Sequence, residues 1–245
     1  MPSPTPDAAQ RPPSRPSASD GVPWRDDPRS LQILSAEHSS LLSTRSLVYN
    51  EAFTRVGVFL TFVSTSFVAL ALISPAMSFG ATFLGIAAVV LAFDFIVGLM
   101  TLGRILGTTA DDLRAVHGMA RVRHGYLQIR PELRPYVTTP THDDLVAVMK
   151  DYRAPSSGLA GVLYAFTTST GMVAVIVALL GGVLGGVLAL LIGAGAGAAA
   201  AIGVVGAVLV FAVLAAGALR FFVQDQASLE VQFPSSGESS PAASA

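Results

Sequence analysis

Two long stretches of this 245-residue chain carry no basic residue, although fifteen Lys and Arg are spread through the rest. Between Val56 and Gly103 the only charge is Asp94, and the 66 residues from Ala154 to Leu219 carry none. Apolar runs of this length are too long for single core elements and too apolar for surface helices, so they read as membrane spans. Only 13% of the chain is charged against 52% hydrophobic, a balance that moves the expectation from soluble domains to a polytopic membrane protein. With no cysteine, disulfides, thiolate metal sites and cysteine nucleophiles are excluded. No short apolar core with a small-residue cleavage site precedes residue 55, so span one serves as its own insertion signal.

The first run divides into spans at 56–73 and 80–102, because two spans need about 40 residues plus a turn. Ser74-Pro75-Ala76-Met77-Ser78 supplies that turn. The second run breaks best at Gly193 to Gly197, leaving spans at 168–192 and 198–222, each about 37 Å long at 1.5 Å per residue. A break at Gly181 to Gly186 is the alternative, with spans of unequal length. The fold class is therefore all-α: four transmembrane helices plus a small helical cytoplasmic module.

Orientation follows from the basic residues. Six precede the first run, eight lie between the runs and one, Arg220, follows; the two turns have none. Four spans put those three segments on one side, and the positive-inside rule makes it cytoplasmic. The expected home is a bacterial cytoplasmic membrane, since one Lys against fourteen Arg, with abundant Ala, Gly and Val, points to a GC-rich genome.

Residues 1–27 are rich in Pro and Ser and read as a disordered tail. Asp27-Pro28 then writes a helix start, a capping carboxylate before a proline whose missing N–H costs nothing there. Over 28–55 an amphipathic helix is expected, with Leu31, Leu34, Leu41, Leu42 and Val48 on one face and Glu37, Ser40, Ser43 and Arg45 opposite, running into span one. The 103–167 loop holds a helix over Asp111 to Ile129, ended by Pro131. It also holds a short helix opened by a Thr141 cap with Asp143 and Asp144 in its first turn. Asp111-Asp112 reads the same way, as a capping pair. Residues 223–245 form a C-terminal tail, disordered from about 233.

Asp94 is the one ionisable residue inside a span, and a mid-span carboxylate must face partners. Antiparallel pairing of spans one and two puts it beside Thr61, Ser64, Thr65 and Ser66 as an intramembrane polar cluster. The reading is an interhelical clamp; the other is an ion or proton site. Thr167 to Thr170 could line a polar vestibule or satisfy its own helix entry. Gly181, Gly182, Gly185 and Gly186 make overlapping GxxxG pairs, and Ala199, Gly203 and Ala207 repeat small residues every four positions. These seven are the expected helix-packing residues, since small side chains let backbones approach where no hydrophobic force operates. Neither glycine cluster precedes the Lys-Ser/Thr of a phosphate loop, and no two histidines share metal-ligand spacing.

No catalytic, cofactor or metal constellation is present in this pattern, so an enzyme is not expected. The expected role is a non-enzymatic membrane scaffold or regulatory protein. Its partners would be the lipid bilayer, a second copy of the chain and a cytoplasmic protein, with no nucleic acid. The alternative is an oligomeric ion channel or small transporter with Asp94 at or beside the path. A pore would gather Asp94, the span-one hydroxyls and Thr168 or Ser169 around one cavity; a scaffold would bury them in pairs.

Overall fold

A computed structural model describes residues 24–78, 80–152, 163–164 and 166–235. The N-terminal tail before Trp24 and residues 236–245 lie outside the described residues, as do most positions between 153 and 165. Every regular element among the described residues is helical: α1 (Pro28–Met77), α2 (Ala81–Ile129), a 3-10 turn (Pro131–Tyr136), α3 (Leu145–Asp151), α4 (Ser169–Leu191) and α5 (Ala196–Ala227). Four of them, α1, α2, α4 and α5, are long and apolar enough to cross a membrane.

Asp27 begins α1 by accepting the Arg29 N–H at 2.8 Å, with Pro28 in the first helical position. Nothing then interrupts 50 residues, about 75 Å of helix, more than twice the ~30 Å hydrocarbon thickness of a bilayer. The helix also runs through Pro75, where the sequence indicates a turn. Proline deprives the Ala71 carbonyl of its usual donor. Ser74 Oγ replaces it, donating to that carbonyl at 3.0 Å. The turn falls instead just after Met77, where Ser78 takes a left-handed conformation (φ 50°). The second turn holds Gly193 at φ +90°, close to its expected place.

α2 is equally unbroken, so the change at residue 103 from apolar run to polar loop occurs inside one helix. It packs antiparallel on α1: contacts step from Ser66–Asp94 through Glu51–Arg104 to Leu41–Gly118 and Leu34–Gly125. The two helices form a hairpin whose apolar half joins α4 and α5 and whose polar half projects as a head. At the junction Arg104 grips Glu51 through two hydrogen bonds of 2.8 and 3.0 Å, and Arg55 adds a third at 2.9 Å. Those donors hold the exposed Glu51 carboxyl down to about 2.

In the apolar half the core is centred on Phe59, with Leu91, Leu102, Ile105, Val173 and Val177 around it. Gly98 makes this packing possible, since a Cβ there would stand 2.6 Å from Val177 and 3.0 Å from Phe59. The head has its own core of Leu113, Val116, Met119 and Val148, closed by Leu41, Phe222 and Leu229. The short helix α3 is capped by Asp144, which accepts the Ala147 N–H at 3.1 Å; Thr141 is not the cap. Asp111 and Asp112 lie in the interior of α2 and cap nothing.

Candidate functional site: buried carboxylates and an interfacial cavity

Side chains on α1 that face α2 recur at alternating spacings of three and four, through Val56, Phe59, Val63 and Leu70, with Ser66 in the same series. Asp94 on α2 meets that stripe and is fully buried. Ser66 Oγ donates to its Oδ1 at 3.0 Å, while Oδ2 has no hydrogen-bond partner. The other three hydroxyl residues of the expected cluster are not brought to Asp94. Thr61 and Thr65 donate to the carbonyls of Gly57 and Thr61 at 2.9 and 2.8 Å, and Ser64 is exposed. One residue is 100° of helix, so positions 61, 64 and 65 turn away when 59, 63 and 66 face inward. The inward series itself carried the signal that selects Ser66.

The small residues of α4 and α5 divide as sharply. A Cβ on Gly182 would lie 2.5 Å from the Gly203 carbonyl oxygen and 2.6 Å from the Ala207 Cβ; on Gly186 it would lie 3.2 Å from the Ala199 carbonyl. Gly181 abuts Phe95 and Val210. Gly185 faces nothing within 4 Å and takes no part in the contact.

Thr167 to Thr170 do line a cavity, of about 500 Å³, at the junction of head and apolar half. Thr108, Thr109, Tyr49, Tyr152, Tyr164 and Asp112 complete its polar wall. Its hydroxyls are partly spent locally: Thr168 caps α4 by accepting the Gly171 N–H at 3.1 Å, and Thr167 donates to the Tyr164 carbonyl at 2.7 Å. Neither Asp94 nor Thr61, Ser64 and Thr65 border this cavity.

The head buries charges that the sequence reading placed on surfaces. Arg45 lies on the inner stripe of α1, not opposite it, and its Nε donates to Asp112 at 2.7 Å. Tyr49 and Tyr152 donate to the other oxygen of Asp112 at 3.3 and 2.5 Å. Burial and that neighbouring carboxylate push the Tyr152 hydroxyl far above its ordinary value. Asp151 lies 3.8 Å from both Arg45 and Arg123.

Asp143 is fully buried beneath a strap formed by residues 228–235. The N–H groups of Gln232 and Phe233 donate to it at 2.9 and 2.7 Å, and Arg121 Nε at 2.7 Å. Burial alone would raise its carboxyl, but these donors outweigh it and hold the group below the usual aspartate range. Arg121 also donates to the Glu230 carbonyl, and Ser235 to Asp144. Phe233 stacks on His124, ring centroids 4.1 Å apart. The chain is thus docked through Ser235, past the position where the sequence reads as a loose tail. Buried His117 has neither ring nitrogen hydrogen-bonded, and burial lowers its pKa. Among the described residues no three His, Cys, Asp or Glu side chains cluster as metal ligands.

No family model matches this chain, and no curated protein or solved structure matches it. The fold itself defines the class: among the described residues, an all-helical protein with four helices long and apolar enough to cross a membrane.

Proposed function

We propose that this is a multi-pass protein of a bacterial cytoplasmic membrane, with both termini and the head in the cytoplasm, acting as a non-enzymatic scaffold. The spans anchor it and the head meets a cytoplasmic protein partner. Its orientation rests on fifteen basic residues that all fall on one side of a four-span arrangement. Cysteine introduced at Ser78 reacts with an impermeant thiol reagent added outside cells, and cysteine at Ser14 does not; the reverse labelling overturns the topology.

The observation that favours a scaffold is the pairing of Asp94 with one hydroxyl, apart from the cavity lined by Thr167 to Thr170. A conduit requires such groups around a common path. The second reading, an oligomeric channel or small transporter with Asp94 at or beside the path, rests on the free Oδ2 of that residue. Proteoliposomes of the pure protein separate the two. A scaffold shows no proton or monovalent-cation flux above empty vesicles. Flux that Asp94→Asn abolishes, with stability kept, would replace the scaffold by the channel.

A further inference from the structure

Beyond Ile129 the chain cannot continue as helix, because Pro131 restricts the residue before it. The 3-10 turn sends it back, and residues 137–142 run between the last turns of α2 and the start of α3. They leave a cavity of about 400 Å³ at the tip of the head. One wall is apolar, with Leu127, Val137 and Val146. The other carries Arg134, Lys150 and His142 with Thr138, Thr139 and Thr141. Among the described residues no carboxylate-bearing side chain borders it.

Two cations of this wall differ from five arginines elsewhere in the head. Arg45, Arg114, Arg121, Arg123 and Arg130 each lie within 4 Å of a carboxylate oxygen. Arg134 and Lys150 pair with none among the described residues. Asp144, next to His142 in the chain, is already occupied by the Ala147 N–H and by Ser235. His142 borders the same wall, and its buried Nδ1 has no hydrogen-bond partner. Burial first, then the neighbouring His142, lowers the pKa of His124, against opposing contributions from a Thr141 backbone hydrogen bond and Asp143.

We infer that this cavity binds a small organic phosphate, its phosphoryl group against Arg134, Lys150 and His142 and its organic body against Leu127, Val137 and Val146. A phosphomonoester offers three acceptor oxygens, and hydrogen bonds from ionised donors to such oxygens are the strong ones. The volume falls in the range of small-molecule pockets and exceeds the need of a bare phosphate ion. A headgroup of the host bilayer is too far away. Leu127 lies twenty-four residues beyond Gly103 on one helix, about 36 Å from the end of the apolar run. The site does not depend on whether the spans anchor or conduct.

The test uses the full chain in detergent at fixed ionic strength, titrated calorimetrically with phenyl phosphate, inorganic phosphate and benzyl alcohol. Phenyl phosphate binds one site per chain and more tightly than inorganic phosphate, and benzyl alcohol does not bind. The double variant Arg134→Gln/Lys150→Gln weakens phenyl phosphate by about tenfold or more. Arg29→Gln, which removes an exposed cation elsewhere, leaves it unchanged. Should the double variant not fold, Val146→Glu places a carboxylate at an exposed point of the wall and abolishes binding by repulsion. The inference is overturned by no saturable heat up to about 10 mM, by equal affinity for inorganic phosphate, or by equal loss in Arg29→Gln. Binding of a phosphoserine peptide without binding of phenyl phosphate overturns it as well, and assigns the surface to a protein partner.

Discussion

The head and the apolar half both hold helices together, by opposite means. In the head, carboxylates are buried and each collects several donors: Asp112 has Arg45 and two tyrosines, and Asp143 has two backbone N–H groups and Arg121. In the apolar half one carboxylate has a single hydroxyl, and α4 meets α5 most closely where Gly182 and Gly186 face Ala199, Gly203 and Ala207. Near water, burying a charge is tolerable when many donors replace its hydration. Within lipid there is no hydrophobic force between helices, so attachment comes from close backbone approach. Attachment in the head therefore responds to charge removal, and attachment in the apolar half to side-chain size.

The largest effect is expected at Asp143. Asp143→Leu leaves the Arg121 charge and two strap N–H groups without their carboxylate, destabilising the head by about 3 kcal/mol. The strap should then be cleaved by protease near residues 228–235 in the folded protein. Acid should act in the same direction. The Asp143 carboxyl is depressed in the folded chain, so its contribution is complete above the ordinary aspartate value and is lost as pH falls below it. Protease resistance of the strap that is unchanged both in the variant and on acidification would erase the contrast between the regions.

Next in size is a pair of substitutions within α4. Gly182→Leu drives a side chain into the Gly203 carbonyl and the Ala207 Cβ, at a cost of about 2–3 kcal/mol. Gly185→Leu meets open space and leaves the melting temperature of the monomer in detergent near wild type. The two glycines belong to the same sequence pattern, so equal effects would show that size at the α4·α5 contact is not what matters. Loss of an oligomer in Gly185→Leu alone would assign that face to a second copy.

The smallest effect is at Asp94. Asp94→Asn keeps an acceptor for Ser66 and should preserve stability. Asp94→Leu removes it and costs about 1 kcal/mol, because hydrogen bonds between helices in membranes are worth little. Thermal melts of both variants in one detergent measure the difference. A loss at Asp94→Leu as large as that at Asp143→Leu would mean that polar pairing governs both regions equally.

What the sequence determined by itself was the content of each region. Charge-free length dictates helices that can cross a membrane, because only a helix satisfies every backbone group within its own segment. The cap at Asp27 and the glycine turn near residue 193 are local, and local chemistry is legible from neighbours in the chain. Tertiary structure decided which face of each helix points where. Ser66 rather than Thr61, Ser64 or Thr65 reaches Asp94, and Gly182 rather than Gly185 reaches α5, because each residue turns the helix by 100° and residues close in sequence need not share a face. It also decided that Arg45 turns inward and that the strap docks. Their partners, Asp112 at 67 residues' separation and Asp143 at about 90, come together only when α2 folds back along α1 and α5 returns the chain to the head.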